Sequence, residues 1–308
     1  MDRPQLDVLC AAAAGPIDLS TAANRLGLDA EIVEEIVDDS DAFLEVIEGR
    51  IALRSHLGYD APSLRKLLSE DLEVVCVEEA TSTNELAMTY LDEEHERVLV
   101  TAERQTAGRG RGERTWHSPP GGIWASVADG RQLSTETAWV DQFAMAVAVT
   151  EAMSALGVDV AIKWPNDVND AEGRKLAGIL VHSRTSGTTR TRTVCGVGLN
   201  ANVENSALPA GATSLRQHCG PVERAVVLAH IVHAYEALRE DPTLTRSRWS
   251  TRAETLGRHV EVQTPDGTRS GMARSIGEGG ALVIETDGEL VDIPLGKCER
   301  LRYAHSPV

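Results

Sequence analysis

The sequence predicts an α+β protein built from three units, and three observations carry that prediction. Helical periodicities ahead of one short hairpin fill the first stretch. Strand and helix patterns alternate from Val74 onward, and the tail is a run of short strands broken by glycine-rich turns. The boundaries that follow are 1–66, 67–256 and 257–308. At 308 residues the chain is long enough for each unit to bury a core.

In the first unit, residues 5–14 read as a helix stopped by Gly15-Pro16, and 20–26 as a second, capped from Asp18–Ser20 and ended by Gly27. Asp29 caps a third, which sets Ile32, Val33, Ile36 and Val37 on one face. Phe43–Ile47 and Ile51–Leu53 flank Glu48-Gly49-Arg50 as a hairpin. This is the layout of a winged helix-turn-helix, whose third helix reads DNA. Here that helix carries Asp29, Glu31, Glu34, Glu35, Asp38 and Asp39 with no Lys or Arg, which disfavours phosphate contact. Packing or protein contact is the favoured role for it.

A linker with a short helix over Ser63–Leu68 leads into the middle unit. Val74–Val77, Val98–Thr101, Ile123–Val127, Val160–Lys163, Leu176–Val181 and Val194–Val197 read as strands. Helices are expected from near Thr83, over 138–156, 222–239 and 244–256, so one mixed sheet flanked by helices is the economical arrangement. In the tail, His259–Gln263, Gly271–Ile276, Ala281–Glu285 and Glu289–Ile293 are short strands between strong turns, the pattern of a small β-barrel.

Composition narrows the function. The formal net charge is −17, and the positive charge is 26 Arg against Lys66, Lys163, Lys175 and Lys297. Acid-rich, lysine-poor usage fits a high-salt cytosol, as in a halophile, and makes each lysine a candidate for a site that needs an ammonium. The cysteines Cys10, Cys76, Cys195, Cys219 and Cys298 have no CxxC or metal spacing, which fits a reduced cytoplasm. No apolar run approaches a membrane span, and the N-terminus lacks a signal layout.

Against that acidity, Gln105 to Trp116 is an island of positive charge. Arg104, Arg109, Arg111 and Arg114 stand among Gly108, Gly110 and Gly112, so a flexible backbone carries guanidinium forks suited to carboxylate or phosphate. Thr81-Ser82-Thr83-Asn84 clusters small hydrogen-bonding groups between a strand and a helix. Lys163-Trp164-Pro165-Asn166-Asp167 ends a strand on one turn, Lys175 opens the apolar run Leu176–Leu180, and Gly196-Val197-Gly198-Leu199-Asn200 closes another strand.

These motifs together resemble the biotin–protein ligases. The family's serine-threonine-asparagine element stands at 82–84, its arginine loop at 108–111 with Arg114 and Trp116 after it, its KWPND at 163–167, its KLAGIL at 175–180 and its G-x-G-[IL]-N at 196–200. Gly112-Glu113 departs from the family pattern and puts an anion beside the loop arginines. The resemblance implies a class II synthetase-like central domain, an N-terminal winged helix and a C-terminal SH3-like barrel.

It further implies two steps: biotin and ATP give biotinyl-5′-AMP and pyrophosphate, and a lysine of a biotin carboxyl carrier protein then takes the biotinyl group. Two anions must meet, so fixed cations are needed, and Arg109, Arg111 and Lys175 are the catalytic candidates. Ser82, Thr83, Asn84, Gln105, Gly108, Arg109, Arg111, Trp124, Lys175 and Gly178 are expected at biotin, with Ser126 a further candidate for the wall. Arg111, Arg114, Trp116, Lys163, Asn166, Lys175 and Asn200 are expected at ATP, and Asp167 at Mg²⁺. The Gly/Arg loop should order over the labile adenylate and exclude water. A homodimer is common among relatives. The alternatives are a lipoate–protein ligase, whose substrate lacks the ureido group that the Ser/Thr/Asn set suits, and a biotin-responsive regulator, against which the acidic third helix argues.

Overall fold

The computed structural model describes residues 1–92, 96–112 and 114–304. Helix α1 (Arg3–Ala11) begins earlier than its periodicity predicts, because Asp2 and Gln5 form a reciprocal capping box with Pro4 in the first turn. After β1 (Ile17–Asp18) come α2 (Leu19–Leu26), α3 (Ala30–Asp39) and the hairpin of β2 (Leu44–Ile47) and β3 (Arg50–Leu53). The three strands make an antiparallel sheet in the order β1-β3-β2. Val33 and Val37 of α3 are buried, and its acidic residues are exposed. Helix α4 (Ala61–Leu67), capped by Asp60, leads out of this unit.

The middle unit runs β4 (Glu73–Ala80), α5 (Thr83–Asp92), β5 (Arg97–Gln105), β6 (Ile123–Asp129), β7 (Leu133–Ser134), α6 (Ala138–Leu156), β8 (Val160–Lys163), β9 (Asp167–Asp170), β10 (Lys175–Ser186) and β11 (Thr189–Leu199). Helices α7 (Leu215–Cys219), α8 (Arg224–Arg239) and α9 (Pro242–Arg252) follow. The sheet order is β4-β5-β6-β11-β10-β9-β8, with β7 beside β11; β4 and β5 are parallel and the other pairs antiparallel. Strand β9 begins at the last residue of the expected 163–167 turn and was not itself expected. Its polar residues disguise it: Asn169 donates to Glu254, and Asp170 accepts from Arg174 and from the backbone of Glu172.

Strand parity sorts the two faces of this sheet. Ile123, Ala125 and Val127 of β6, with Cys195, Val197 and Leu199 of β11, belong to the core formed with α6 and α8. Ala128 and Val194 pack instead with Ala87 and Leu91 of α5. Residues 124, 126, 178, 180, 196 and 198 therefore face the α5 side.

The tail is a second antiparallel sheet of β12 (His259–Thr264), β13 (Gly267–Ile276), β14 (Leu282–Thr286), β15 (Glu289–Ile293) and β16 (Arg300–Tyr303), in the order β15-β14-β13-β12-β16. Strand β16 was not expected, since Leu301 is its one buried residue between charged neighbours. This sheet seats on the middle unit through Trp164, whose Nε1 donates to Gly280 O at 3.1 Å. Among the described residues no helix is long and apolar enough to cross a membrane, and no group of acids, histidines and cysteines is arranged to hold a metal.

A buried ionic network ties α6 and α8 to the sheet. Asp141 of α6 pairs with Arg190 of β11, lies 3.1 Å from Arg239 of α8 and accepts from Tyr235 at 2.8 Å. Arg239 also reaches Asp129 of β6 at 2.6 Å. Arg190 is 2% exposed, so removing its carboxylate strands a charge in the core. Asp141→Ala is expected to lower stability by about 3–5 kcal/mol in urea unfolding. A loss below about 1 kcal/mol would mean that solvent or a rearranged acid reaches Arg190.

Candidate active site

Gly178 of β10 pairs with Gly198 of β11, and Gly196 pairs with Leu180. All three glycines face the α5 side, and their missing side chains make the floor of a cleft. A Cβ on Gly198 would lie 2.4 Å from Trp116 Nε1, one on Gly178 2.9 Å from Trp116 Cζ3, and one on Gly196 2.1 Å from Asn84 Oδ1. Glycine at these points lets an indole and an amide rest directly on backbone.

The Trp116 ring is delivered by an arch between β5 and β6. Gln105 pairs with Ser118 and Arg109 with Thr115; Gly110 N donates to Arg114 O at 2.7 Å and Trp116 N to Gly108 O at 2.8 Å. Gly112 turns the tip with φ +64°. Glu113, the departure noted in the sequence, lies outside the described residues. Under the arch is an open cleft, floored by the glycines of β10 and β11 and roofed by the arch residues.

One end of the cleft is a buried set of hydroxyls and amides. Ser82, Thr83 and Asn84 stand where β4 passes into α5, each less than a tenth exposed. Gln105 Oε1 accepts from Thr83 N at 2.8 Å, and Gln105 Nε2 donates to Ser118 Oγ at 2.8 Å. Ser126 Oγ donates to Asn84 Oδ1 at 2.6 Å.

The other end is cationic, and each cation has an internal partner. Lys175 Nζ is 2.6 Å from Asp167 Oδ1 and 4.9 Å from the centre of the Trp116 ring. Arg109 pairs with Glu85. Arg111 donates to Leu295 O at 2.8 Å and Cys298 O at 3.0 Å, and Arg114 to Glu299 O at 2.5 Å, so the arch is held by backbone carbonyls of the C-terminal unit. Burial pushes the Cys298 thiol up to about 11, which keeps it protonated beside these arginines.

Residues 74–200 match the biotin/lipoate A/B protein ligase family, and residues 255–301 match the biotin protein ligase C-terminal domain. A bifunctional ligase/repressor BirA of Bacillus spizizenii is 34% identical over 218 residues, which span 65% of this chain and 67% of the relative. A biotin–[acetyl-CoA-carboxylase] ligase of Mycobacterium tuberculosis is 30% identical over 254 residues, 75% of this chain and 89% of the relative. The chain belongs to the biotin protein ligase family. The fold agrees: biotin protein ligase from Aquifex aeolicus, solved in complex with biotin and ATP, superposes with a TM-score of 0.60 at 24% identity, covering 75% of this chain and 99% of that one.

The cleft brings together most of the residues that resemblance to the biotin protein ligases singles out: Ser82, Thr83, Asn84, Gln105, Arg109, Arg111, Arg114, Trp116, Asn166, Asp167, Lys175 and Gly178 all line it. Five others lie off its wall, among them Ser126, which is wholly buried and reaches the cleft through Asn84. Trp124 is wholly buried behind Trp116, edge-on at 6.3 Å, and its Nε1 donates to Pro119 O. Gly108 lies where the arms of the arch cross, since a Cβ there would meet Trp116 O at 2.5 Å. Lys163 Nζ sits 5.0 Å from the Tyr303 ring at the junction with β16. Asn200 is buried just past the end of β11 and donates to Thr213 O at 2.9 Å. Sequence reasoning missed Glu85 and the carbonyls of Leu295, Cys298 and Glu299. Glu85 carried a signal, one residue past Asn84 on a helix start, whereas backbone acceptors leave no trace in side-chain identity.

Because Trp116 rests on glycine backbone, Gly198→Ala is expected to lower stability by about 1–3 kcal/mol in urea unfolding. Adding Trp116→Ala should recover most of that loss, as a contacting pair does in a double-mutant cycle. Equal losses with and without the tryptophan would place the clash elsewhere.

Proposed function

We propose that this cleft carries both half-reactions of a biotin–protein ligase. A biotin carboxylate oxygen attacks the α-phosphorus of ATP and pyrophosphate leaves; the amine of a carrier lysine then attacks the acyl carbon and AMP leaves. The carrier would be the biotin-accepting protein or domain of a carboxylase. The observation behind this reading is the juxtaposition, across one glycine floor, of a buried hydroxyl–amide end and a cationic end. The first suits a neutral ureido group and the second a pair of anions.

In this reading Ser82, Thr83, Asn84 and Gln105 take the ureido end, and Gly178 leaves room for the bicyclic ring. Arg109, Arg111 and Lys175 neutralise the meeting of carboxylate and α-phosphate, which would otherwise repel. Arg114, Asn166 and Trp116 serve the nucleotide. Lys163 and Asn200 act from off the wall, at the C-terminal junction and just past the end of β11, and Trp124 backs the wall. Asp167, the carboxylate beside Lys175, would hold a Mg²⁺, since a hard cation prefers carboxylate oxygen. That ion would supply charge neutralisation on the phosphates. Both steps are attacks by substrate groups, so no protein nucleophile is required.

The internal partners of the cations suit this chemistry. Arg109 and Glu85 are 57% and 42% exposed, so their pairing contributes about 0–1 kcal/mol and exchanges readily for a substrate anion. Arg111 and Arg114 rest on carbonyls, which hold a guanidinium in place without neutralising it.

We read residues 1–66 as a winged helix kept for packing, 67–256 as the catalytic domain and 257–308 as an SH3-like barrel. The outward acids of α3 support packing over DNA reading, since each repels phosphate. Asp7 at 2.7 Å from His230, and Arg3 at 2.7 Å from Glu151, fasten this unit to the catalytic helices.

Pyrophosphate release with ATP, Mg²⁺ and either biotin or lipoate tests the reading. Release with biotin alone, with biotinyl-AMP retained on the protein by mass spectrometry, is expected; release with lipoate alone overturns the pocket assignment. Lys175→Ala should slow release at least about 10²-fold, as loss of one oriented transition-state donor does. Undiminished release would show that another cation is central. Arg111→Ala should form the adenylate but let it escape into solution, and adenylate retained as tightly as in the wild type would contradict closure by the arch.

A further inference from the structure

Asn84 offers two protons and one acceptor, and the structure sorts them. Leu180 O can only accept, so the amide atom 3.1 Å from it is Nδ2, and the same Nδ2 lies 3.3 Å from His182 Nδ1. Both Nδ2 protons are thereby used. Asn84 Oδ1 takes the Ser126 hydroxyl at 2.6 Å and keeps its other lone pair over the bare backbone of Gly196, in the cleft. His182 Nδ1 can accept from Asn84 only when it carries no proton, which is the neutral ring protonated on Nε2.

We infer that His182 is a positioning residue: in its neutral form it holds the Asn84 amide with the oxygen turned into the cleft, a fixed acceptor for a ligand N–H. The inference rests on the biotin reading for the identity of that donor, a ureido N–H. Protonating His182 sets an N–H against the Asn84 N–H. Turning the amide over would relieve that contact, but it brings Oδ1 against Leu180 O and removes the acceptor from the cleft.

Two charged groups act on the ring: Arg109 from the arch and Glu85 from α5, which also pair with each other. Burial, the larger influence, and Arg109 lower the pKa of His182 from its ordinary 6.5, and Glu85 opposes them. The neutral form therefore dominates at neutral pH, and the acceptor is lost as pH falls through that depressed value.

ATP–pyrophosphate exchange by the full chain, at about pH 5.5 and about pH 8, gives the biotin KM at each pH. In the wild type the biotin KM should rise at the lower pH, towards the roughly tenfold limit reached at full protonation, the loss of one ligand hydrogen bond. His182→Gln presents an oxygen that accepts from Asn84 at every pH, so its ratio should stay near one. His182→Ala should show a raised biotin KM at both values with no such ratio. The ATP KM should change with pH equally in the wild type and the glutamine variant. In a histidine NMR titration, saturating biotin should lower the pKa of His182, because the ligand selects the neutral ring. Exchange that requires biotin but shows equal ratios in wild type and His182→Gln, or a His182 titration that biotin leaves unmoved, overturns this inference alone. Absence of biotin-dependent exchange in both proteins overturns the biotin reading and this inference with it.

Discussion

The site depends on a close approach between aromatic ring and backbone. Trp116 and Asn84 lie where side chains from β10 and β11 would otherwise stand, and this requires three glycines on the same face of two paired strands. Strand parity makes the condition strict. A one-residue slip of either strand would turn its glycines into the α6–α8 core and push valine or isoleucine into the cleft. The antiparallel register and the burial of Val197 and Ile179 on the opposite face therefore hold the active-site floor and the protein core in one arrangement.

Above that floor the structure separates two electrostatic regimes. The hydroxyl–amide end is buried, and its donors and acceptors are matched to one another, which fixes orientation at the start of α5. The cationic end is half-exposed, and its charges sit on partners that are easily exchanged: Glu85, Asp167 and three carbonyls of the C-terminal unit. A neutral ligand group needs fixed geometry, whereas an anion needs fixed charge that does not demand expensive desolvation. The division follows from those two requirements.

The C-terminal unit has a defined place in this arrangement. It receives Arg111 and Arg114 on its backbone, packs Gly280 against Trp164 and sets Tyr303 beside Lys163. It thus meets the arch and the KWPND element at once, and a movement of the sheet on α6 would reach the cleft through both. The ionic network of Asp141, Arg190, Arg239 and Asp129 resists such movement on the other face.

Much of this was legible in the chain. Periodicity marked the main helices, glycine-rich turns marked the tail, and short motifs in family order picked out nearly every residue that lines the cleft. Those signals are local, so a sequence carries them openly. Strands β9 and β16 were missed because each has few buried apolar residues to mark it: polar Asn169 and Asp170 fill half of β9, and Leu301 stands alone between charged neighbours in β16. The placement of Trp124, Lys163 and Asn200 off the wall was decided by packing between elements far apart in sequence. So were the carbonyl seats of the arginines and the sorting of Asn84 by His182. By itself the sequence determined the residue types, their order and the chemistry they suit. Only the tertiary structure decided which face each strand turns to the cleft and which partner each polar group finds, because those are long-range contacts that no local pattern encodes.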